Sequence, residues 1–260
     1  MPEAPIADDP LAEARRLIAA AAERNVVLRL LGGLAVHAQV PSWTAPIERR
    51  GRDIDFATRG TQRQAVEDLL IAAGYEPDRP HNALHGHKQL YFRDPRSGRP
   101  VDVLIDRFEM CHAFDFRDRL GVDPLTLPLA DLLLSKLQIV KINRKDLVDV
   151  TVLLSHHPLT HDDQGLSVAR ITALTGSDWG WWRTVTGNLE RVRRFATDEV
   201  RPEEVATTAR PAFDPGEQVS ELGAAIDRGP KSFGWRARAV VGERAAWYDE
   251  PEEVAHGAEG

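Results

Sequence analysis

Apolar positions set out the first elements of the chain. Residues 11–24 are Ala-rich with helical spacing, and Asn25 is placed to close that helix before the apolar run Val26-Val27-Leu28-Arg29-Leu30-Leu31. The run predicts a buried strand. Gly32-Gly33 then permits a tight turn into a helix over 34–39, which Pro41 stops. Residues 53–58 predict a short strand, and Ala65, Val66, Leu69, Leu70 and Ala73, between a Thr61 N-cap and a closing Gly74, predict an amphipathic helix. Two strands, 88–92 and 101–105, flank Asp94-Pro95-Arg96-Ser97-Gly98 and predict a hairpin.

Beyond Pro124 the pattern turns helical, with helices predicted over 129–142, 145–155, 167–175, 179–197 and 215–226. A leader over 1–24 thus precedes a mixed α/β unit over 25–124 and a helical unit over 125–248. The fold class is α/β (α+β), a mixed sheet followed by a helical C-terminal region. Residues 249–260 hold five acids and no Lys or Arg, a composition that predicts a disordered tail.

Composition narrows the setting. One cysteine, Cys111, rules out an internal disulfide and fits a reducing compartment. The acidic N-terminus has no apolar core of a signal sequence, and no apolar run reaches the roughly 20 residues that span a bilayer, so a cytoplasmic protein with no membrane partner is expected. A net charge of −7 argues against broad nucleic-acid binding, while Arg49-Arg50-Gly51-Arg52 and Arg191-Val192-Arg193-Arg194 remain local strips able to meet phosphates.

The candidate chemistry lies in three acids. Asp53 and Asp55, two apart in an extended segment, project to one side while Ile54 and Phe56 bury on the other. Asp102 interrupts the apolar strand Val101-Asp102-Val103-Leu104 in the same manner. Three carboxylates on neighbouring strands suit a hard divalent cation, magnesium or manganese, which binds through oxygen and bridges to substrate phosphates. Asp102 is also placed to take a proton from an attacking hydroxyl. Gly32 and Gly33 can bring backbone N–H groups close to a phosphate at a helix start. The bland alternative is that Asp-Ile-Asp is the polar face of an amphipathic strand.

The run Leu31-Gly32-Gly33-Leu34-Ala35-Val36, the segment Arg52-Asp53-Ile54-Asp55-Phe56 and the later strand acid resemble the nucleotidyltransferase superfamily with the polymerase-beta-type core. The texture is similar to its toxin-type branch, the AbiEii and MenT-like proteins. Over residues 25–155 the likeness extends to Lys136-Leu137 and to Arg144-Lys145-Asp146-Leu147-Val148-Asp149. The resemblance implies a magnesium-dependent enzyme that takes a nucleoside triphosphate as co-substrate. It implies Asp53, Asp55 and Asp102 at the metal, and Gly32, Gly33, Arg49, Lys136 and Asp146 around the nucleotide. It further implies a tRNA end or a protein hydroxyl as acceptor and an antitoxin partner. Many relatives carry threonine two residues before the first acid and arginine two before that; here Gly51 replaces the threonine and Arg49 keeps the arginine. Antibiotic-modifying adenylyltransferases share the core, which leaves a small hydroxylated acceptor as an alternative, beside a catalytically silent binding module and a metal-dependent nuclease.

Other residues weigh less. Lys136 falls inside an apolar arc with Leu129, Leu132, Leu133, Ile139 and Val140 at about 100° per residue, so its ammonium either snorkels past a core edge or reaches a phosphate in an inter-domain cleft. Asp146 and Asp149 can face the same cleft, though Asn143 followed by Asp146 also reads as a helix-start cap. His85 and His87 would share a strand face, but no cysteine pair supports a zinc site and a polar loop is expected. His37 reads as a packing residue and Cys111 as an inert thiol. Trp179, Trp181, Trp182, Trp235 and Trp247 read as core anchors.

Overall fold

The structure, a computed structural model, describes residues 6–44 and 53–250. Arg49 and the strip it belongs to fall outside them. Helix α1 spans Pro10–Glu23, starts on the Asp9 carboxylate and ends at Asn25, which takes a left-handed φ of 58°. Strand β1 is only Arg29–Leu31, shorter than the apolar run predicts. Side chains serve the residues before it: Val27 N–H donates to Gln62 Oε1, and Val27 C=O accepts from the Thr58 hydroxyl. The backbone there is satisfied without a ladder.

Helix α2, Gly32–Gln39, follows without a linker, and β2, Ile54–Thr58, returns antiparallel to β1. A single 3₁₀ turn, Gly60–Gln62, then leads into α3, Arg63–Ala72. Thr61 sits within that turn and caps nothing, contrary to the sequence expectation; Gly74 closes the helix at φ 92° as expected. After β3, Glu76–Pro77, helix α4 covers Arg79–His85, where a polar loop is expected. His85 therefore ends a helix rather than sharing a strand face with His87, and its ring lies 5.1 Å from that of His81.

Strands β4, Gln89–Arg93, and β5, Pro100–Ile105, form the predicted hairpin. They complete a mixed five-stranded sheet in the order β1-β2-β5-β4-β3, with β2 and β5 parallel and the other pairs antiparallel. Alternation divides its faces. Ile54, Phe56, Leu90, Phe92, Val101, Val103 and Ile105 bury on one side, whereas Asp55, Gln89, Asp102 and Leu104 on the other are only partly covered.

A small hairpin of β6, Arg107–Glu109, and β7, Ala113–Asp115, leads to the helical region. This region contains α5, Leu129–Leu137; α6, Arg144–His156; α7, Val168–Ser177; α8, Trp179–Arg194; α9, Pro215–Arg228; and α10, Phe233–Val241. The short parallel strands β8, Leu159–Thr160, and β9, Leu166–Ser167, link α6 to α7. Helix α5 stops before the predicted Ile142 because Asn188 of α8 donates to the carbonyls of Leu137 and Ile139, satisfying groups that another helical turn would have used. Trp179 and Trp181 are buried as expected. Trp235 and Trp247 are half-buried and clasp the outside of α8, with the Trp182 and Trp235 rings edge to face at 5.4 Å.

Helix α2 joins the two regions by packing on both α5 and α6. The edge of β1 is lined by the chain leading into α5: Leu30 N–H donates to Leu125 C=O and Leu127 N–H to Leu30 C=O. Both contacts fix the glycine turn against the helical region. No helix among the described residues is long and apolar enough to cross a membrane.

Candidate active site at the glycine turn

The register of the sheet brings two of the three predicted acids together. Asp55 on β2 lies directly opposite Asp102 on β5, and Asp102 lies opposite Tyr91 on β4. Paired residues share a face, so both carboxylates stand on the partly covered side. Asp53 precedes the strand and is exposed, yet its charge acts on both.

The glycine turn fits over this pair. Gly32 has φ +71°, and a Cβ built on it would lie 2.1 Å from Asp55 Oδ2, so a side chain there would occupy the space of the carboxylate. Gly33 has the ordinary hand of backbone, and its Cβ would meet Asp149 Oδ2 at 3.6 Å, a normal contact. The turn is thus held between the acid of β2 and an acid of α6.

Lys136 reaches that second acid. Its ammonium bonds Asp146 Oδ1 at 2.7 Å and Asp149 Oδ2 at 3.0 Å, all three side chains being largely buried. Neither snorkelling to solvent nor an unoccupied ammonium is what the structure shows. Asp146 also serves the helix start: Asn143 Oδ1 accepts from its N–H, and Asn143 Nδ2 donates to Asp146 Oδ2 at 2.8 Å. The capping arrangement and the ion pair coexist in one residue.

Charge is unevenly distributed over the site. Burial, then the facing Asp102, then Asp53 push the Asp55 carboxyl up to about 7, with Lys136 opposing them. Asp102 is pushed up to about 6 by burial and Asp53, against a hydrogen bond from Gln89 Nε2 at 2.5 Å that favours the ionised form. Burial works against the Lys136 ammonium, but Asp149 and Asp146 overcome it and hold its pKa above the usual lysine value. One lysine is therefore paired with both acids of α6 and acts on Asp55 as well, leaving the Asp55–Asp102 pair short of positive charge.

Sequence reasoning passed over Gln89 and named Asp149 beside Asp146 without giving it a place at the turn. Gln89 is visible only through cross-strand register, since it sits 13 residues from its partner Asp102. Asp149 was legible as the i+3 neighbour of Asp146, and its place against Gly33 gives it the closer role at the turn. Among the described residues, no group of three or more His, Cys, Asp or Glu side chains forms a metal cage. Set beside known proteins, the chain matches no family model, and neither a curated protein nor a solved structure is similar to it.

Proposed function

We propose that the chain is a divalent-cation-dependent nucleotidyltransferase of the polymerase-beta-type core, moving a nucleoside monophosphate from a triphosphate to a hydroxyl acceptor. One observation carries the reading: two carboxylates face each other on parallel strands beneath a glycine turn whose Gly32 has no room for a side chain. The resemblance to AbiEii and MenT-like proteins extends it to a tRNA end or a protein hydroxyl as acceptor and to an antitoxin as partner.

The donor set suits the cation. Its ligands would be oxygens of Asp55 and Asp102, with Asp53 beside them; burial first, and the neighbouring acids after it, raise the pKa values of both. Magnesium commonly takes only one or two carboxylates and completes its shell with phosphate and water, so a three-acid cage is not required. When bound, magnesium or manganese supplies charge stabilisation at the phosphoryl oxygens.

The chain's own residues do the remaining work. The N–H groups at the start of α2 receive phosphate oxygens, while the missing side chain of Gly32 makes room for the Asp55 carboxylate beside them. Asp102, with its pKa raised to about 6 and oriented by Gln89, accepts the proton of the acceptor hydroxyl. That oxygen bonds the α-phosphorus as the bond to the leaving pyrophosphate breaks. Lys136 holds Asp149 against Gly33 and lends positive potential to Asp55.

The test incubates the purified protein with each labelled nucleoside triphosphate, magnesium and either total RNA or cell extract, alongside Asp55→Asn. Label transfer with pyrophosphate release in the wild type and its loss in the variant is expected. Absence of both products with every acceptor overturns the reading.

A further inference from the structure

The same sheet face carries two arginines that the proposed reaction does not use. Arg29 pairs with Ala57 in the β1–β2 register, so it shares the face of Asp55, which pairs with Leu31. Arg59 follows β2 in extended backbone, φ −87° and ψ 141°, and continues the alternation of Asp55 and Ala57 onto that face. The bond from the Thr58 hydroxyl to Val27 C=O keeps the two chains side by side beyond the ladder.

Neither arginine has an ion pair among the described residues. Arg29 is half-buried, its Nη1 donates to Leu28 C=O at 2.8 Å, and its Nε is buried without any partner. A guanidinium with a buried, unused donor is costly unless something accepts from it. Burial and the neighbouring charge of Arg59 both disfavour Arg29, and only Asp123 offsets them from a distance. The oxygens of Asp123 are already engaged by the N–H groups of Leu125 and Thr126 and by Gln39.

Position decides what the pair faces. Gly32 continues from the end of β1 near Asp55, whereas Arg29 begins the strand two residues, about 7 Å, back from Leu31. Arg59 is likewise displaced from Asp55 in the direction away from the turn. The acid row therefore stands between the glycine turn on one side and the arginines on the other.

We infer that Arg29 and Arg59 form a phosphate subsite on this sheet face, and that it receives a phosphate of the second ligand and not of the nucleoside triphosphate. The existence of the subsite rests on the two arginines alone; its assignment to the second ligand rests on the proposed function, which puts the triphosphate at Gly32 and Gly33. Paired guanidiniums select phosphate by bidentate geometry.

The full chain is titrated, across a salt series, with a single-stranded octanucleotide, with the same octamer carrying neutral methylphosphonate linkages, and with ATP plus magnesium. Arg59→Gln, at an exposed position, and Arg29→Gln are each expected to weaken octamer binding about tenfold. Each is expected to flatten its salt dependence by about 0.7 in the log–log slope. Arg59→Lys restores part of the binding, the neutral octamer is insensitive to all three substitutions, and ATP affinity stays within about twofold. Octamer affinity unchanged in both glutamine variants, or no octamer binding by the wild type, overturns the subsite. An equal loss of ATP affinity overturns its assignment to the second ligand. Arginine-dependent octamer binding by a protein that transfers no label leaves the subsite standing and removes the transferase reading.

Discussion

Two acids of this molecule sit under cover in opposite ways. Asp131 of α5 is fully buried and accepts from Arg119 Nε at 2.8 Å and Arg170 Nε at 2.9 Å, and Arg119 continues to Asp163 at 2.5 Å. Asp55 has Asp102 opposite, Asp53 nearby and a single lysine that is already shared by Asp146 and Asp149. The first cluster neutralises itself and ties α5 to α7 and to the loop before α5. The second leaves negative charge unanswered on a partly open sheet face. Stability alone would select the first arrangement. The second is the kind of site that the proposed cation would complete, and that contrast supports the proposed function.

The largest effect is expected from the self-neutralised cluster. Asp131→Ala would leave two guanidiniums without their shared carboxylate, and breaking such a buried pair costs about 3–5 kcal/mol. Chemical denaturation should show it as a large fall in midpoint. Asp55→Asn, by contrast, should not lower the stability of the metal-free protein. If the two substitutions destabilise equally, the contrast is broken and Asp55 belongs to the scaffold.

Next comes a comparison within the turn. Gly32→Ala introduces a Cβ at φ +71° and 2.1 Å from the Asp55 carboxylate, so strain of about 1–3 kcal/mol adds to displacement of that acid. Gly33→Ala meets Asp149 at an ordinary 3.6 Å and should cost about 1 kcal/mol or less. Denaturation midpoints measure the difference. Comparable losses at both positions would show that the turn responds to any side chain and that Asp55 has no special fit to Gly32.

These residues also show what the sequence discloses. Gly-Gly, Asp-x-Asp and the acid at 102 are local signals whose consequences, a turn and two strand faces, are set by nearest neighbours. The shortness of β1 was hidden because the groups that satisfy Val27 come from Thr58 and Gln62, more than 30 residues away. Helix α4 did announce itself: Asp78 caps it and Pro80 stands in its first turn, a start signal overshadowed by the histidines that follow. The double ion pair of Lys136 required knowing the angle between α5 and α6. Arg29 was absorbed into an apolar run, although its period-two relation to Leu31 already put the two on one face, opposite Leu30.

A pH series sharpens the contrast further. The Asp55 pKa of about 7 stands above the ordinary 3.8, so the folded metal-free chain holds that proton more tightly than the unfolded chain does. The resulting stabilisation is full below about pH 4, declines as pH rises and is lost through about pH 7. Stability of the wild type should fall over that window, and Asp55→Asn should remove much of the fall. At pH 8 the metal-free variant should be the more stable protein, by on the order of 1–2 kcal/mol. Magnesium should flatten the wild-type profile by binding the ionised site. A profile identical in wild type and variant would place the titration elsewhere.

The smallest effect separates the two jobs of Asp146. Asn143→Ala removes the acceptor for the Asp146 N–H and the donor to Asp146 Oδ2, while leaving the Lys136–Asp146 and Lys136–Asp149 contacts in reach of each other. Loss of such a cap costs about 1 kcal/mol. Because Asp149 is the acid against Gly33, the turn should keep its shape and label transfer should stay within about twofold of wild type once the protein is folded. Asp149→Asn, which weakens the hold of Lys136 on the acid at the turn, should slow transfer more than Asn143→Ala when both are compared as folded protein. If the order is reversed, the N-terminus of α6 positions the site through Asp146, and the two acids of that helix exchange roles.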